Sequence, residues 1–176
     1  TPIPVALGAA YANKMKKNGL IACVFFGDGA LDEGSFWESL NLASCMKLPV
    51  LFVCEDNELA VHTSRYQRQG YYSIDKIISE FYCLDYDVSQ VNVDLIYRTA
   101  RLASEIIREG GYPAFMNCRY FRYLEHVGIN SDFSSGYRSV EDSYKWISQE
   151  PISLLREQLI QSDKILTKIK QLEQEI

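Results

Sequence analysis

With 176 residues, 47% of them hydrophobic, the chain has the length of one domain and enough apolar side chains to fill its core. Its net charge of −5 comes with no Lys/Arg cluster, which argues against a surface that tracks a phosphate backbone, so no nucleic acid is expected as a partner. No apolar run approaches the roughly 20 residues that span a bilayer, and no charged-then-apolar signal segment opens the chain, so no membrane partner is expected either.

Taken in chain order, Pro2 and Pro4 open a helix over residues 4–17. Its Leu7, Gly8, Ala9, Ala10 and Ala12 are small enough for close packing on another element. The run Leu20 to Phe26 reads as a buried parallel strand, and Gly34 to Met46 has helical apolar spacing at Phe36, Trp37, Leu40, Leu42, Ala43 and Met46. A second strand, Val50 to Cys54, follows Pro49. Residues 58–72 have no apolar period and read as a long ligand-side loop. Then come a helix Ile74 to Tyr82, a strand Asp85 to Val91, a helix Asp94 to Glu109 capped by Asn92 or Asp94, and a strand Ala114 to Tyr120. Leu124 to Arg138 is glycine- and serine-bearing loop, and helical spacing returns from Ser139, with Pro151 starting a further helix. The final amphipathic stretch, Ile165, Ile169, Leu172 and Ile176, suits a solvent-facing helix or a subunit contact; the solvent-facing reading is preferred. The whole is an α/β fold: an open, mostly parallel sheet with flanking helices and a C-terminal helical extension.

Five cysteines, Cys23, Cys45, Cys54, Cys83 and Cys118, include three inside strand-like apolar runs and form no Cys-x-x-Cys pair. They read as reduced, structural residues rather than zinc or redox ligands.

The polar groups that matter stand at strand ends. Gly27-Asp28-Gly29 follows the first strand and Glu55-Asp56-Asn57 the second, which is where an open α/β sheet binds ligands. The glycines let the backbone turn sharply near an anion, while the Asp28 carboxylate and the Asn57 amide oxygen are hard oxygen ligands. Together they suit a cation holding a phosphate. The 26 residues between Gly29 and Asp56 are one crossover's worth of chain.

This pairing resembles the thiamine diphosphate motif. Ala30, Gly34, Phe36-Trp37-Glu38, Asn41-Leu42-Ala43, Lys47-Leu48-Pro49, then Pro113, Arg119 to Tyr123 with His126, and Glu150-Pro151-Ile152 extend the resemblance to alpha subunits of the 2-oxo acid dehydrogenase first component, across essentially the whole chain. The resemblance implies a thiamine diphosphate-binding fold in residues 1–123, an active-site loop over 124–138 and a helical segment over 139–176. It implies thiamine diphosphate and magnesium as cofactors: Asp28, Asn57 and the main-chain carbonyl of Leu59 on the metal, with Gly27, Gly29, Ala30 and His126 at the diphosphate. Backbone N–H groups of Gly29 and Ala30 would be helped there by the helix start near Gly34. His126, by itself an ordinary loop histidine, becomes the catalytic candidate.

The implied reaction is oxidative decarboxylation of a 2-oxo acid, pyruvate-like or branched-chain, with acyl transfer to a lipoyl group. The implied partners are a beta subunit, in an α2β2 assembly, and a lipoyl-bearing acyltransferase. The bacterial cytoplasm is the expected location, with the mitochondrial matrix second. Because such subunits carry a further N-terminal region, and Thr1 is no initiator Met, the chain reads as the C-terminal part of something longer. Alternatives are an acetoin-cleaving or transketolase-like enzyme of the same cofactor, or a non-catalytic assembly module. Leu124 and Val127 stand where pyruvate-specific relatives have a second histidine and a phosphorylatable serine, so kinase control there is not expected. His62 could face substrate but reads rather as a solvated loop residue; Arg119, Arg122 and Arg138 could pair with loop carboxylates or with a phosphate, the ordinary reading of each being a surface charge.

Overall fold

The computed structural model describes residues 2–89, 92–160 and 163–175. Helix α1 (Pro2–Lys16) turns Ile3, Leu7 and Ala10 inward, the spacing of one helix face. Strand β1 (Ala22–Gly27) leads into a 3-10 turn (Asp28–Asp32) and α2 (Gly34–Met46). Lys47 ends α2 in the left-handed region (φ 48°), its N–H on the carbonyls of Ala43 and Ser44, and Pro49 starts the way into β2 (Val50–Asp56). The loop read over 58–72 holds a two-residue hairpin, β3 (Leu59–Ala60) with β4 (Thr63–Ser64), and one helical turn, α3 (Arg65–Arg68).

The helix expected from Ile74 to Tyr82 stops early: α4 is Ile74–Ile78, after which Glu80 and Phe81 fold back onto the carbonyls of Ile77 and Ile78 and Phe81 packs against the core. Strand β5 (Leu84–Val88) is shorter than expected, and the predicted end of that strand, Gln90 and Val91, lies outside the described residues, as does Ile176. Helix α5 (Val93–Arg108) is capped by Asn92, whose Oδ1 accepts from the Leu95 N–H at 3.0 Å, while Asp94 pairs instead with Arg98. After β6 (Ala114–Arg119) come α6 (Val140–Ile147), α7 (Pro151–Leu159) and α8 (Asp163–Glu175). Ser139 caps α6 through a capping box, and Glu150 caps α7 ahead of Pro151. Ile165 and Leu172 of α8 are exposed and Arg156 of α7 pairs with Glu173, which fits a solvent-facing pair. Among the described residues no helix is long and apolar enough to cross a membrane.

The sheet order is β1-β2-β6-β5 with every pair parallel. On one face Phe36 of α2 is fully buried among Phe26, Phe52, Phe115 and Trp37, ring centroids 5.0 to 6.1 Å away. On the other, Ala103 and Ile107 of α5 pack on Leu51, Val53, Val88 and Met116. The burial read for the Leu20–Phe26 run is thus only half right: β1 is an edge strand, so Ala22, Val24 and Phe26 face the core while Cys23 and Phe25 are exposed. Central β2 is buried on both faces from Val50 to Cys54, and burial pushes the Cys54 thiol well above its ordinary value.

Edge strand β5 carries Asp85, whose carboxyl is pushed up to about 7 by burial, with Asp75 and Asp87 adding to the rise. An unfolded aspartate releases its proton near ~3.9, so the folded chain holds a proton that the unfolded chain has lost across this interval. Asp85 therefore contributes stability that is full below about pH 4 and drains away as pH rises to about 7. Asp28 and Asp87 are shifted in the same direction, so the informative quantity is a difference between variants. In Asp85→Asn the loss of stability between pH 4.5 and 7.5 (values chosen around the ~3.9 reference) is expected to shrink, as read by urea unfolding; parallel pH curves for the two proteins would refute the assignment.

Candidate functional site at the strand ends

Register places the site. Gly27 of β1 lies beside Glu55 of β2, and Glu55 beside Cys118 of β6; one step on, Asp56 lies beside Arg119. Asp28, Asn57 and Tyr120 are the next residues of three adjacent parallel strands, so they leave the sheet together at its carboxyl end.

Asp28 opens the 3-10 turn and is almost completely buried, at 2% exposure. Burial raises its carboxyl from the ordinary carboxylate value and Asp56 adds to the rise; the Arg68 guanidinium and the backbone N–H of Asn57 pull it back. The interaction with Asn57 N–H joins the two residues that the sequence had paired. Asn57 closes a turn of its own: its Oδ1 accepts from the Leu59 N–H at 2.9 Å and its Nδ2 donates to the Tyr120 hydroxyl at 3.0 Å. Asp56 repeats the motif one residue earlier, accepting from the Glu58 N–H at 2.9 Å. Gly29 is there for space: a Cβ on it would meet the Ala60 Cβ at 3.0 Å, so the 3-10 turn and the β3–β4 hairpin close on one another only with glycine. Val61, in the turn of that hairpin, is held at φ 57°, a costly conformation for a β-branched residue.

Arg68, read from the sequence only as part of a polar loop, binds this carboxylate. Its Nη2 donates to Asp28 Oδ2 and its Nη1 to Asp32 Oδ2 at 2.5 Å, with the guanidinium 10% exposed. No local signal marks it, because the pairing spans 40 residues.

His126 sits in an exposed turn closed by Glu125 and Asn130: Glu125 Oε1 accepts from both the backbone N–H and the Nδ2 of Asn130, at 3.1 and 2.9 Å. Gly128 in that turn is at φ +134°, and a Cβ there would collide with the Glu125 carboxylate. The turn is fixed to the site by Arg122, which donates to the carbonyls of Val61 at 3.2 Å and Leu124 at 3.1 Å. Among the described residues the His126 ring itself makes no hydrogen bond, and no contact joins it to Asp28 or Asn57.

Behind the turn lies a carboxylate that sequence reasoning missed. Asp132, 6% exposed, accepts from Arg138 Nε at 2.8 Å, from Arg122 Nη2 at 3.3 Å and from the Tyr137 hydroxyl. Arg138 also lies over the Phe133 ring at 4.7 Å, and His62 stacks on Tyr137 with centroids 4.4 Å apart. Of the two readings of Arg122 and Arg138, surface charge or pairing with a loop carboxylate, the second holds: both are largely buried, at 11% and 5%, because one buried carboxylate holds them. Between this cluster and the Asn57 turn opens a cleft of about 470 Å³ lined by Asn57, Leu59, Tyr66, Tyr137 and Trp146.

A carboxylate, an amide oxygen and main-chain groups thus meet at the carboxyl ends of the parallel strands of an α/β unit, the place where open sheets of this kind bind ligands. The comparisons make this specific: the chain matches the profile of the dehydrogenase E1 component family over residues 1–175, and belongs to that family. It is 26% identical to the pyruvate dehydrogenase E1 component subunit alpha of Rickettsia felis, covering 99% of this chain and 53% of that one. Against the mitochondrial subunit of Dictyostelium discoideum it is 32% identical, covering 93% and 42%, and against the chloroplastic alpha-3 subunit of Arabidopsis thaliana 30%, covering 91% and 38%. The chain thus spans about half the length, or less, of these relatives. A solved structure from Mycobacterium smegmatis, described as a candidate thiamin diphosphate-dependent enzyme, shares the fold over 68% of this chain and 22% of its own, with a TM-score of 0.53 at 18% identity.

Removing one member of a buried charge cluster leaves the others uncompensated, at a cost of about 3 kcal/mol. Asp132 packs within a loop rather than the sheet core, so in Asp132→Asn that cost is expected as local opening: backbone amides of residues 122–138 exchange roughly a hundredfold faster while the β2 and β6 amides keep their protection. Uniform loss of protection, or none, would refute the cluster as the fastening of the His126 turn.

Proposed function

We propose that this chain supplies the diphosphate-and-magnesium side of a thiamine diphosphate site in the alpha subunit of a 2-oxo acid dehydrogenase first component. The observation that carries the reading is the meeting of Asp28 and Asn57 at adjacent strand ends, inside a chain that belongs to this family.

The residues fit such a group. Among the described residues no set of three or more His, Cys, Asp or Glu could hold a metal ion, so a cation here has to be completed by neutral oxygens. The Asn57 amide and the Leu59 carbonyl are oxygens of that kind and a diphosphate would add anionic ones, a shell that suits magnesium, which keeps phosphate oxygens and waters around it. The backbone N–H groups of Gly29 and Ala30, in the turn that follows Gly27 and precedes the start of α2, are the donors proposed for the diphosphate.

When bound, thiamine diphosphate supplies the electron sink that allows a 2-oxo acid to lose carbon dioxide. The work of this chain is to fix its diphosphate end: Asp28 and Asn57 hold the cation, and the Asp132 cluster presents His126 on a closed turn. An exposed imidazole on a closed turn can donate or accept a proton within reach of substrate or diphosphate, the role proposed for His126. The substrate is a 2-oxo acid, pyruvate-like or branched-chain, with the acyl group passing to a lipoyl group on an acyltransferase. A beta subunit in an α2β2 assembly would complete the site, in the bacterial cytoplasm or the mitochondrial matrix.

Isothermal titration of the complete subunit, assembled with its beta partner, tests the reading. Asp28→Ala is expected to abolish magnesium-dependent binding of thiamine diphosphate while the fold, followed by circular dichroism, is retained. Unchanged affinity in the variant would reject Asp28 as the metal ligand, and no binding by the wild-type assembly would reject the function.

A further inference from the structure

Arg68 occupies the one carboxylate that the proposed cation requires. Each guanidinium nitrogen has an acceptor: Nη2 donates to Asp28 Oδ2, Nη1 to Asp32 Oδ2 at 2.5 Å, and Nε to the Thr63 carbonyl at 3.3 Å, with Nη1 also 3.4 Å from the Asp28 carbonyl. The carboxylate of Asp28 is 3% exposed and that of Asp32 25%. One guanidinium is thus shared between two carboxylates, those of Asp28 and Asp32. As a buried carboxylate Asp28 is stabilised by a paired cation, and Arg68 is that cation in the structure.

Arg68 also sits outside the packed core, on a turn with no buried residue. It ends a single helical turn joined to the sheet by two-residue strands and the strained Val61, not on an element anchored in the core. Its hold is divided between two carboxylates, so release of Asp28 leaves it tethered to Asp32.

We propose that Arg68 is a partner-exchanging cofactor residue, which guards Asp28 against metal alone and becomes a ligand of the diphosphate once magnesium and diphosphate arrive together. The inference rests on the thiamine diphosphate reading above. A divalent cation by itself has to displace a guanidinium from a buried carboxylate and then sit beside it, like charge against like. Magnesium with diphosphate brings an anion that accepts the displaced guanidinium in the bidentate geometry arginine favours. Exchange therefore makes the site selective for the complete metal-diphosphate unit.

Two measurements on the complete subunit with its beta partner separate this role from a structural one. Manganese binding without diphosphate, followed by electron paramagnetic resonance, is expected to be roughly tenfold tighter in Arg68→Gln than in wild type, because a charge-assisted hydrogen bond no longer competes. Thiamine diphosphate affinity at saturating magnesium, by isothermal titration, is expected to be roughly tenfold weaker in the same variant, because one charge-assisted contact is lost. Arg68→Lys, whose single ammonium cannot span Asp28 and Asp32, is expected to tighten manganese binding while keeping more of the diphosphate affinity, and it serves if Arg68→Gln fails to fold. Opposite movement of the two affinities supports exchange. Movement in the same direction, or none, overturns it while leaving the functional reading standing; absence of cofactor binding in wild type overturns that reading and the exchange with it.

Discussion

The in-register pairing of β1, β2 and β6 is the constraint on which the site depends. Because the three strands are parallel and adjacent, their carboxyl ends fall in one row, and whatever follows each strand is delivered to the same place. A slip of one residue between β1 and β2 would turn the side chains of a strand to the opposite face and carry Asp28 away from Asn57. That register is held by apolar interdigitation far from the chemistry: Val24, Phe52 and Phe115 lie across from one another beneath Phe36. Core packing and ligand geometry are thus one problem, and a large-to-small change at Phe36 would be felt at the strand ends through the alignment of their backbones.

Beyond the strand ends, the chain uses short polar turns where the sheet can no longer supply hydrogen bonds. Asp56 and Asn57 each cap the backbone two residues ahead, which aims the Asn57 amide and sends the chain into the β3–β4 hairpin. The hairpin returns over Gly29, and the close approach there, together with the positive φ of Val61, is local strain maintained by the surrounding contacts. One consequence is positional: the hairpin brings Arg68 back onto Asp28 across 40 residues.

The order of strands and helices was legible in the sequence because it rests on periodicity, and the strand-end groups Asp28 and Asn57 were legible because small polar residues abruptly end apolar runs. Three things were not. The exposure of Cys23 and Phe25 depends on β1 lying at the sheet edge, which is a property of strand order and not of the run itself. The early stop of α4 depends on Phe81 turning into the core, where its packing outweighs the helical period that reached Tyr82. The roles of Arg68, Arg122 and Arg138 depend on carboxylates distant in sequence or hidden in a loop; a guanidinium in a polar segment carries no mark of whether its partner is water or a buried Asp132.

Two buried carboxylates in this chain take arginine partners, and the difference between them is what separates a fastening from a ligand site. Asp132 receives Arg138 on one oxygen, and Arg122 with the Tyr137 hydroxyl on the other, so both of its oxygens are committed to groups that pack against rings and backbone. Such a carboxylate has nothing left to offer, and its charge is more than balanced; it serves to hold the loop in one shape. Asp28 receives one guanidinium, shared with Asp32, and one backbone N–H, while Asp56 stands close enough to raise its proton affinity. It is buried yet under-compensated, with lone pairs to spare and negative charge in excess. The physics that makes the first site rigid leaves the second with the spare acceptors that the proposed cation site calls for, and the same arginine chemistry fits each: a clamp where donors outnumber the carboxylate's needs, and, as proposed for Arg68, an exchangeable partner where they do not.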